Sequence, residues 1–209
     1  WISSVAIDSD LTTIVAPRFW IRSTMIRLAS GPSAAQWTCP PRRVTLSTVG
    51  LLPALERLAR EPIMPNLAIS LHAPTDALRA DLVPLNRKYG IAEIINACKR
   101  FPIRKRSRIT FEYVLLAGVN DRPEDARQLS KLLAGVKSKG NLIPLNAAPG
   151  IPFERPSDAA IDRFAKVLAE RGVTVSVRKS RGRDIRAACG QLIVEGQRKS
   201  PAQQLAVLL

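Results

Sequence analysis

From Arg42 onward the chain repeats one pattern, in which a short run of apolar and β-branched residues precedes a stretch whose leucines and isoleucines recur at helical spacing. That order predicts a parallel sheet with helices packed outside it, because parallel neighbours need a crossover long enough to hold a helix. Four such units are expected. The first pairs a strand at 44–48 with a helix at 51–60, where Leu51, Leu52, Leu55 and Leu58 share a face. The second has a strand at 67–71, a Thr75 or Asp76 cap, a helix to about Val83, a loop over 84–90 and a further helix at 91–100. The third joins a strand at 108–115 to a helix ending near Leu133, with Asp121 as its cap and Pro123 and Glu124 in its first turn. The fourth has a strand at 141–145, a proline-rich loop over 146–156, and a helix at 157–170 with Ile161, Phe164, Val167 and Leu168 inward. A last strand is expected at 173–177. Residues 1–40 differ in texture: Trp20, Trp37, scattered Ser and Thr and a Gly-Pro-Ser turn show neither helical nor alternating periodicity.

Strands this rich in Val, Ile and Leu suit burial on both faces, as in an α/β barrel or a doubly wound sheet, and in either fold ligands lie at the carboxyl ends of the strands. Those ends carry Ser47 and Thr48, Ser70 and His72, Glu112 and Tyr113, and Asn146. Any one of them alone is more often a satisfied turn residue. Their recurrence at four successive ends is what argues for a ligand. His72 is the sole histidine, which excludes a Ser-His-Asp triad built with any other and a multi-histidine metal site. Neither a Walker-type loop nor Gly-x-Gly-x-x-Gly after a strand is present.

A formal charge of +15 exceeds what solubility requires and points to a polyanion, with nucleic acid the first expectation and a solvated basic face the bland one. Three widely spaced cysteines, Cys39, Cys98 and Cys189, argue against a disulfide framework and for a reducing compartment. With no zinc motif, no long apolar run and charges scattered through the first thirty residues, the expected location is cytoplasmic and no membrane partner is expected.

The most reactive-looking stretch is 178–192. Five cationic side chains precede Cys189, which lies among Ala187, Ala188 and Gly190, and nearby positive charge favours the thiolate that a nucleophile needs. A single cysteine is more often a small buried apolar residue, and the arginines could equally serve RNA.

Seven ordered blocks carry a resemblance that covers about 41–194. They are Arg-Arg-Val-Thr-Leu-Ser-Thr at 42–48, Leu-Ala-Ile-Ser-Leu-His-Ala-Pro at 67–74, Val-Pro-Leu-Asn-Arg-Lys-Tyr at 83–89, Phe-Glu-Tyr-Val-Leu-Leu at 111–116, Gly-Val-Asn-Asp at 118–121, Asn-Leu-Ile-Pro-Leu-Asn at 141–146, and the Cys189 stretch. In these the chain resembles the radical S-adenosylmethionine RNA methyltransferases of the RlmN type, which methylate C2 of an adenine in 23S ribosomal RNA and in some transfer RNAs. The resemblance implies an α/β fold, a partial (βα) barrel of the radical-SAM type, latter half. It implies that Ser47, Ser70, Leu71, His72 and Asn146 bind S-adenosyl-L-methionine, that Cys189 is the catalytic cysteine that is transiently methylated, and that a 4Fe-4S cluster takes part. Ribosomal RNA and transfer RNA are the implied partners, with the adenine presented unstacked.

The sequence also departs from that pattern. The family's Cys-x-x-x-Cys-x-x-Cys, its Gly-Glu pair, its second mechanistic cysteine and its N-terminal RNA-binding domain are absent, and Asn146-Ala147-Ala148-Pro149-Gly150 replaces Asn-Pro-x-Pro-Gly. The expected organisation is therefore a non-matching stretch at 1–40, read in a wrong frame on one explanation, the latter part of a methyltransferase domain at 41–194, and a tail at 195–209. As written the chain is expected not to generate the radical alone, so no metal ligands are assigned within it. A half-barrel is expected to self-associate or be poorly stable through an uncovered strand edge and an uncovered apolar helix face unless residues 1–40 cover them. The alternative from another class is a non-catalytic basic RNA-binding fragment, holding on through Arg42, Arg43, Arg100, the 104–108 cluster and the 178–186 run.

Overall fold

The computed structural model describes residues 4–8, 13–15, 44–62, 64–146 and 151–178. In chain order its elements are β1 (Ser4–Asp8), β2 (Thr13–Val15), β3 (Thr45–Thr48), α1 (Leu52–Leu58), β4 (Asn66–Ser70), α2 (Asp76–Leu82), a 3-10 turn (Pro84–Arg87), α3 (Ile91–Arg100), β5 (Ile109–Leu115), α4 (Pro123–Leu132), β6 (Ser138–Pro144), α5 (Asp158–Glu170) and β7 (Val175–Val177). The strands form one sheet in the order β2-β1-β3-β4-β5-β6-β7, parallel from β1 to β7, with β2 antiparallel on β1. Each step from β3 to β7 advances by one neighbour through a helical crossover, which makes the described sheet the wall of a partial (βα) barrel.

Residues 4–8 show no periodicity in sequence, yet β1 pairs with β3, Ser4 opposite Thr45 and Val5 opposite Leu46. The first half of the β3 edge, at Thr45 and Leu46, is thereby paired, which answers part of the condition attached to the expected instability. Two strands of five and three residues are too short for period-2 alternation to stand out.

Local chemistry explains most helix boundaries. Thr75 Oγ1 accepts from Leu78 N at 3.4 Å to open α2, Glu93 reaches back to Gly90 N at 2.9 Å to open α3, and Ser157 Oγ accepts from Ala160 N at 3.2 Å to open α5. The expected cap of α4 needs correction. Arg122 occupies that position, its N–H satisfied by Asp125 at 3.1 Å, while Asp121 accepts from Gly118 N in the preceding turn. Both acids favour a helix start, so spacing alone could not choose between them.

Apolar residues of α1, α3, α4 and α5 pack against one face of the sheet, in a core that includes Leu67, Ile69, Phe111, Tyr113, Leu142 and Phe164. Along α3 the buried set is Ile91, Ile94, Ile95 and Cys98, the spacing of one helical face. Gly50 lets this helix approach β3: its φ is +97°, and a Cβ there would lie 2.7 Å from Ile94 Cδ1. Gly118 has φ +69° with nothing within 4 Å of its Cβ position. Both positions share the conformational demand, and only Gly50 adds a steric one. We expect Gly118→Ala to cost about 1–2 kcal/mol for the left-handed backbone and Gly50→Ala about 2–4 kcal/mol, overpacking included. Urea denaturation of the two variants measures the difference, and equal losses would refute the close contact.

Candidate functional site

Strand register builds a polar row on the sheet face turned away from that helix-backed core. Ser70 pairs with Glu112, Glu112 with Asn141 and Asn141 with Ser176, so four strands place hydroxyl, carboxylate, amide and hydroxyl side by side. Period-2 alternation makes this possible, since Ile69, Phe111 and Leu142 turn to the opposite face. Ser47, from β3, joins the row diagonally. Ser47 Oγ donates to Glu112 Oε2 at 2.8 Å and Ser70 Oγ donates to the same oxygen at 3.2 Å. Among the described residues Glu112 has no ion-pair partner.

Just beyond β4 the chain bends sharply at His72, whose φ of 61° is uncommon for a side-chain-bearing residue. Asn120 holds this bend. Its Nδ2 donates to His72 O and to Val114 O, each at 2.8 Å, and its Oδ1 accepts from Leu116 N at 2.8 Å. Tyr113 anchors the same turn by donating to Asn120 O at 3.0 Å, with its ring against Phe164 at 5.3 Å between centroids. His72 Nδ1 accepts from Val114 N at 3.1 Å, so the neutral ring carries its proton on Nε2. That atom is buried without a hydrogen-bond partner among the described residues. Burial first, and then the Arg79 charge, holds the imidazole at about 3, well below its ordinary 6.5.

Arg79 reaches the same strand ends from α2. Its Nε donates to Leu71 O at 3.1 Å, Nη1 to Asn86 Oδ1 at 2.9 Å, and Nη2 to Val49 O at 2.6 Å and Ser70 O at 3.1 Å. Asp76 completes the cluster by accepting from Asn86 Nδ2 and Ile91 N. Burial lowers Arg79 from 12.5 to about 10, which leaves it charged at neutral pH, and the Asp76 charge opposes the shift.

The structure therefore brings Ser47, Ser70, Leu71 and His72 to one end of the sheet, around Glu112. Leu71 enters through its backbone: its side chain is in the core, its N–H donates to Glu112 O and its carbonyl accepts from Arg79. Asn146 is half-buried, two residues past β6, at the same end. Cys189 lies outside the described residues, which reach Arg178, whose N–H donates to Leu142 O at the end of β7. Cys98 is a core residue of α3, its thiol pushed up to about 12 by burial, and so is unreactive in the native fold. Among the described residues no group of acids, cysteines or histidine could hold a metal, and no helix is long and apolar enough to cross a membrane. Arg79, Asn120 and Asn141 escaped the sequence reading, and Glu112 entered it only as a strand-end residue. A carboxylate inside an otherwise apolar strand, and an arginine on the apolar face of a short helix, were the available signals.

No family model matches the chain. It is 51% identical over 168 residues to the dual-specificity RNA methyltransferase RlmN of Anaeromyxobacter dehalogenans, covering 80% of this chain and 45% of that protein. It is 48% identical to the protein of the same description from Syntrophobacter fumaroxidans, over 81% of this chain and 49% of the relative. The chain thus spans about half the length of the curated relatives it matches. Among solved structures, a radical SAM methyltransferase from Sphaerobacter thermophilus superposes with a TM-score of 0.70 at 54% identity, covering 74% of this chain and 45% of that one. A domain of a pyruvate-formate lyase-activating enzyme from Bacteroides vulgatus, 14% identical with a TM-score of 0.52, shares the fold.

Two outcomes follow from the strand-end network. Replacing Arg79 by Met leaves several buried carbonyls without donors and should destabilise the fold by about 3–5 kcal/mol in urea titration, with Arg79→Lys recovering only part. The unfolded chain protonates His72 below pH 6.5 while the folded chain keeps it neutral down to about 3. Stability is therefore fully present above pH 6.5 and erodes as pH falls, by about 1.4 kcal/mol per pH unit. Because no other histidine titrates there, His72→Gln should flatten the slope between pH 6.5 and 5. An equal slope in both proteins would contradict the burial of a neutral imidazole.

Proposed function

Since the chain belongs to the radical S-adenosylmethionine RNA methyltransferases of the RlmN type, we propose that its described wall binds S-adenosylmethionine and that Cys189 carries the methyl group destined for an adenine C2 in ribosomal or transfer RNA. The observation that carries this reading is the convergence of Ser47 and Ser70 on one oxygen of Glu112, beside the unpartnered Nε2 of His72. A carboxylate in mid-strand, flanked by hydroxyls from two neighbouring strands, suits a ligand rich in hydroxyls and positive charge, and a buried N–H donor with no partner among the described residues suits an acceptor on that ligand. These residues fit S-adenosylmethionine, which when bound supplies an electrophilic methyl group. Glu112 and the serines would hold it by fixed hydrogen bonds, Leu71 would set the spacing through its backbone, and Asn146 would close the site from β6. Cys189, with cations before it in sequence, would present the thiolate that accepts the methyl group.

The iron–sulfur cluster is a different matter. Cys39, Cys98 and Cys189 do not supply the closely spaced set of thiolates that such a cluster needs, and Cys98 is locked in the core. No step through the cluster is assigned to residues of this sequence.

Titration calorimetry with S-adenosylmethionine tests the proposal. The chain should bind it, and Glu112→Gln should weaken binding about tenfold, the equivalent of roughly 1.4 kcal/mol. In an enzyme completed with cluster-bearing residues, Cys189→Ala should abolish RNA methylation while changing RNA affinity less than about twofold. Retained RNA binding with no affinity for S-adenosylmethionine would leave the non-catalytic RNA-binding reading in its place.

A further inference from the structure

The opposite end of the sheet carries a rim of positive charge that the proposed methyl transfer does not use. The turn between α3 and β5 supplies Arg104, Lys105, Arg106 and Arg108, all exposed, and exposed Lys137 and Lys139 flank the start of β6. The sequence has no Asp or Glu between Glu93 and Glu112, nor between Asp125 and Glu154.

Three bonds organise this rim, and each ends on a neutral acceptor. Arg104 Nη2 donates to Asn66 Oδ1 at 3.2 Å, Arg108 Nη1 to Thr174 Oγ1 at 2.6 Å, and Lys137 Nζ to the carbonyl of Lys105. The ion pairs among the described residues are Arg127–Glu124, Arg155–Asp158 and Lys166–Glu170, so none neutralises a rim cation. Helix dipoles account for Lys99 and Arg100, in the last turn of α3, but the effect fades within that turn and does not reach the loop cations. Asn66 opens β4 and Thr174 precedes β7, so the rim crosses four strands, about 14 Å at roughly 4.8 Å per strand. Along β5 the rim at Arg108 lies four residues before Glu112, about 13 Å at roughly 3.3 Å per residue.

We propose that this amino-terminal rim is a second RNA-contacting surface, which grips the phosphate backbone of a folded RNA whose reactive adenine lies at the carboxyl end of the strands. The proposal rests on the RNA methyltransferase reading. Cations held in place by neutral groups keep their charge for a polyanion, and a phosphate backbone matches a row of point charges without any base contact. An RNA too short to pass round the wall would reach the site alone.

The test uses the full chain with Lys105, Arg106 and Lys139 all changed to Gln, against a transfer RNA transcript and a short adenine-containing oligonucleotide, over a range of salt. The transcript should bind the variant about tenfold more weakly, and the slope of log affinity against log salt should fall by about 2 units, near 0.7–0.9 per lost phosphate contact. Oligonucleotide affinity and the melting curve should not change, because all three side chains are exposed. An unchanged slope for the transcript, or an equal loss for the oligonucleotide, would overturn the rim proposal while leaving the methyltransferase reading intact. Loss of binding to anionic vesicles with RNA binding unaltered would reassign the rim to a membrane surface. A wild-type chain that binds neither RNA would sink both readings.

Discussion

The buried guanidinium of Arg79 is the interaction on which the carboxyl end of the sheet depends. It is fully buried, its bonds fall on three backbone carbonyls and one amide oxygen, and no carboxylate touches it directly. Such a charge is costly to desolvate, which its lowered pKa records, and it is retained because one planar fork satisfies acceptors from β3, β4 and the 3-10 turn together. Val49 O and Ser70 O, the groups just beyond Ser47 and at Ser70 itself, are drawn to the same donor nitrogen. Strand register sets the two serines beside Glu112, and a helix residue that takes no part in the polar row ties together the strand ends that carry them.

A second constraint sits beside the first. His72 combines a left-handed backbone, a neutral buried ring and an unpartnered Nε2, and each of these is unfavourable on its own. Asn120 makes the bend tolerable by bonding His72 O, Val114 O and Leu116 N at once, and Tyr113 secures Asn120. Strain that survives because surrounding bonds over-determine it is characteristic of places where a side chain must point in one direction. Here the residue that bears the strain also bears the unsatisfied donor.

Much of this architecture was legible in the sequence, and the reasons differ from element to element. The alternation of apolar runs and helical faces located β3 to β7 and their helices to within a few residues, because burial on one helix face leaves a strong periodic imprint, as in Ile91, Ile94, Ile95 and Cys98. Ser47, Ser70 and His72 were legible as polar residues at strand ends. Arg79 was not, because an arginine at helical spacing reads as a solvated side chain until four distant acceptors are seen to need it. Asn141 was equally silent, since its neighbours Glu112 and Ser176 are set by strand register, which sequence alone does not give. The two N-terminal strands left no signal because their pairing, rather than their composition, makes them strands.

The division of the sheet into two unlike faces bears on why this wall can stand at all. Parallel sheets are ordinarily apolar on both sides, and a wall torn from such a sheet would expose a large apolar surface. Here the apolar demand is concentrated on the helix side, where Leu67, Ile69, Phe111, Tyr113 and Leu142 meet α1, α3, α4 and α5. The other face presents Ser70, Glu112, Asn141 and Ser176 in register, groups that water or a polar ligand can satisfy. A second apolar cluster, with Leu82, Val83, Val114, Leu116 and Leu145, gathers toward the loop end of the strands, where Val114 and the partly buried Ile143 stand one alternation beyond Glu112 and Asn141 on the same face. Among the described residues the larger apolar cluster is thus the one on the helix side, and the polar row is the part of the other face that water or a polar ligand can satisfy.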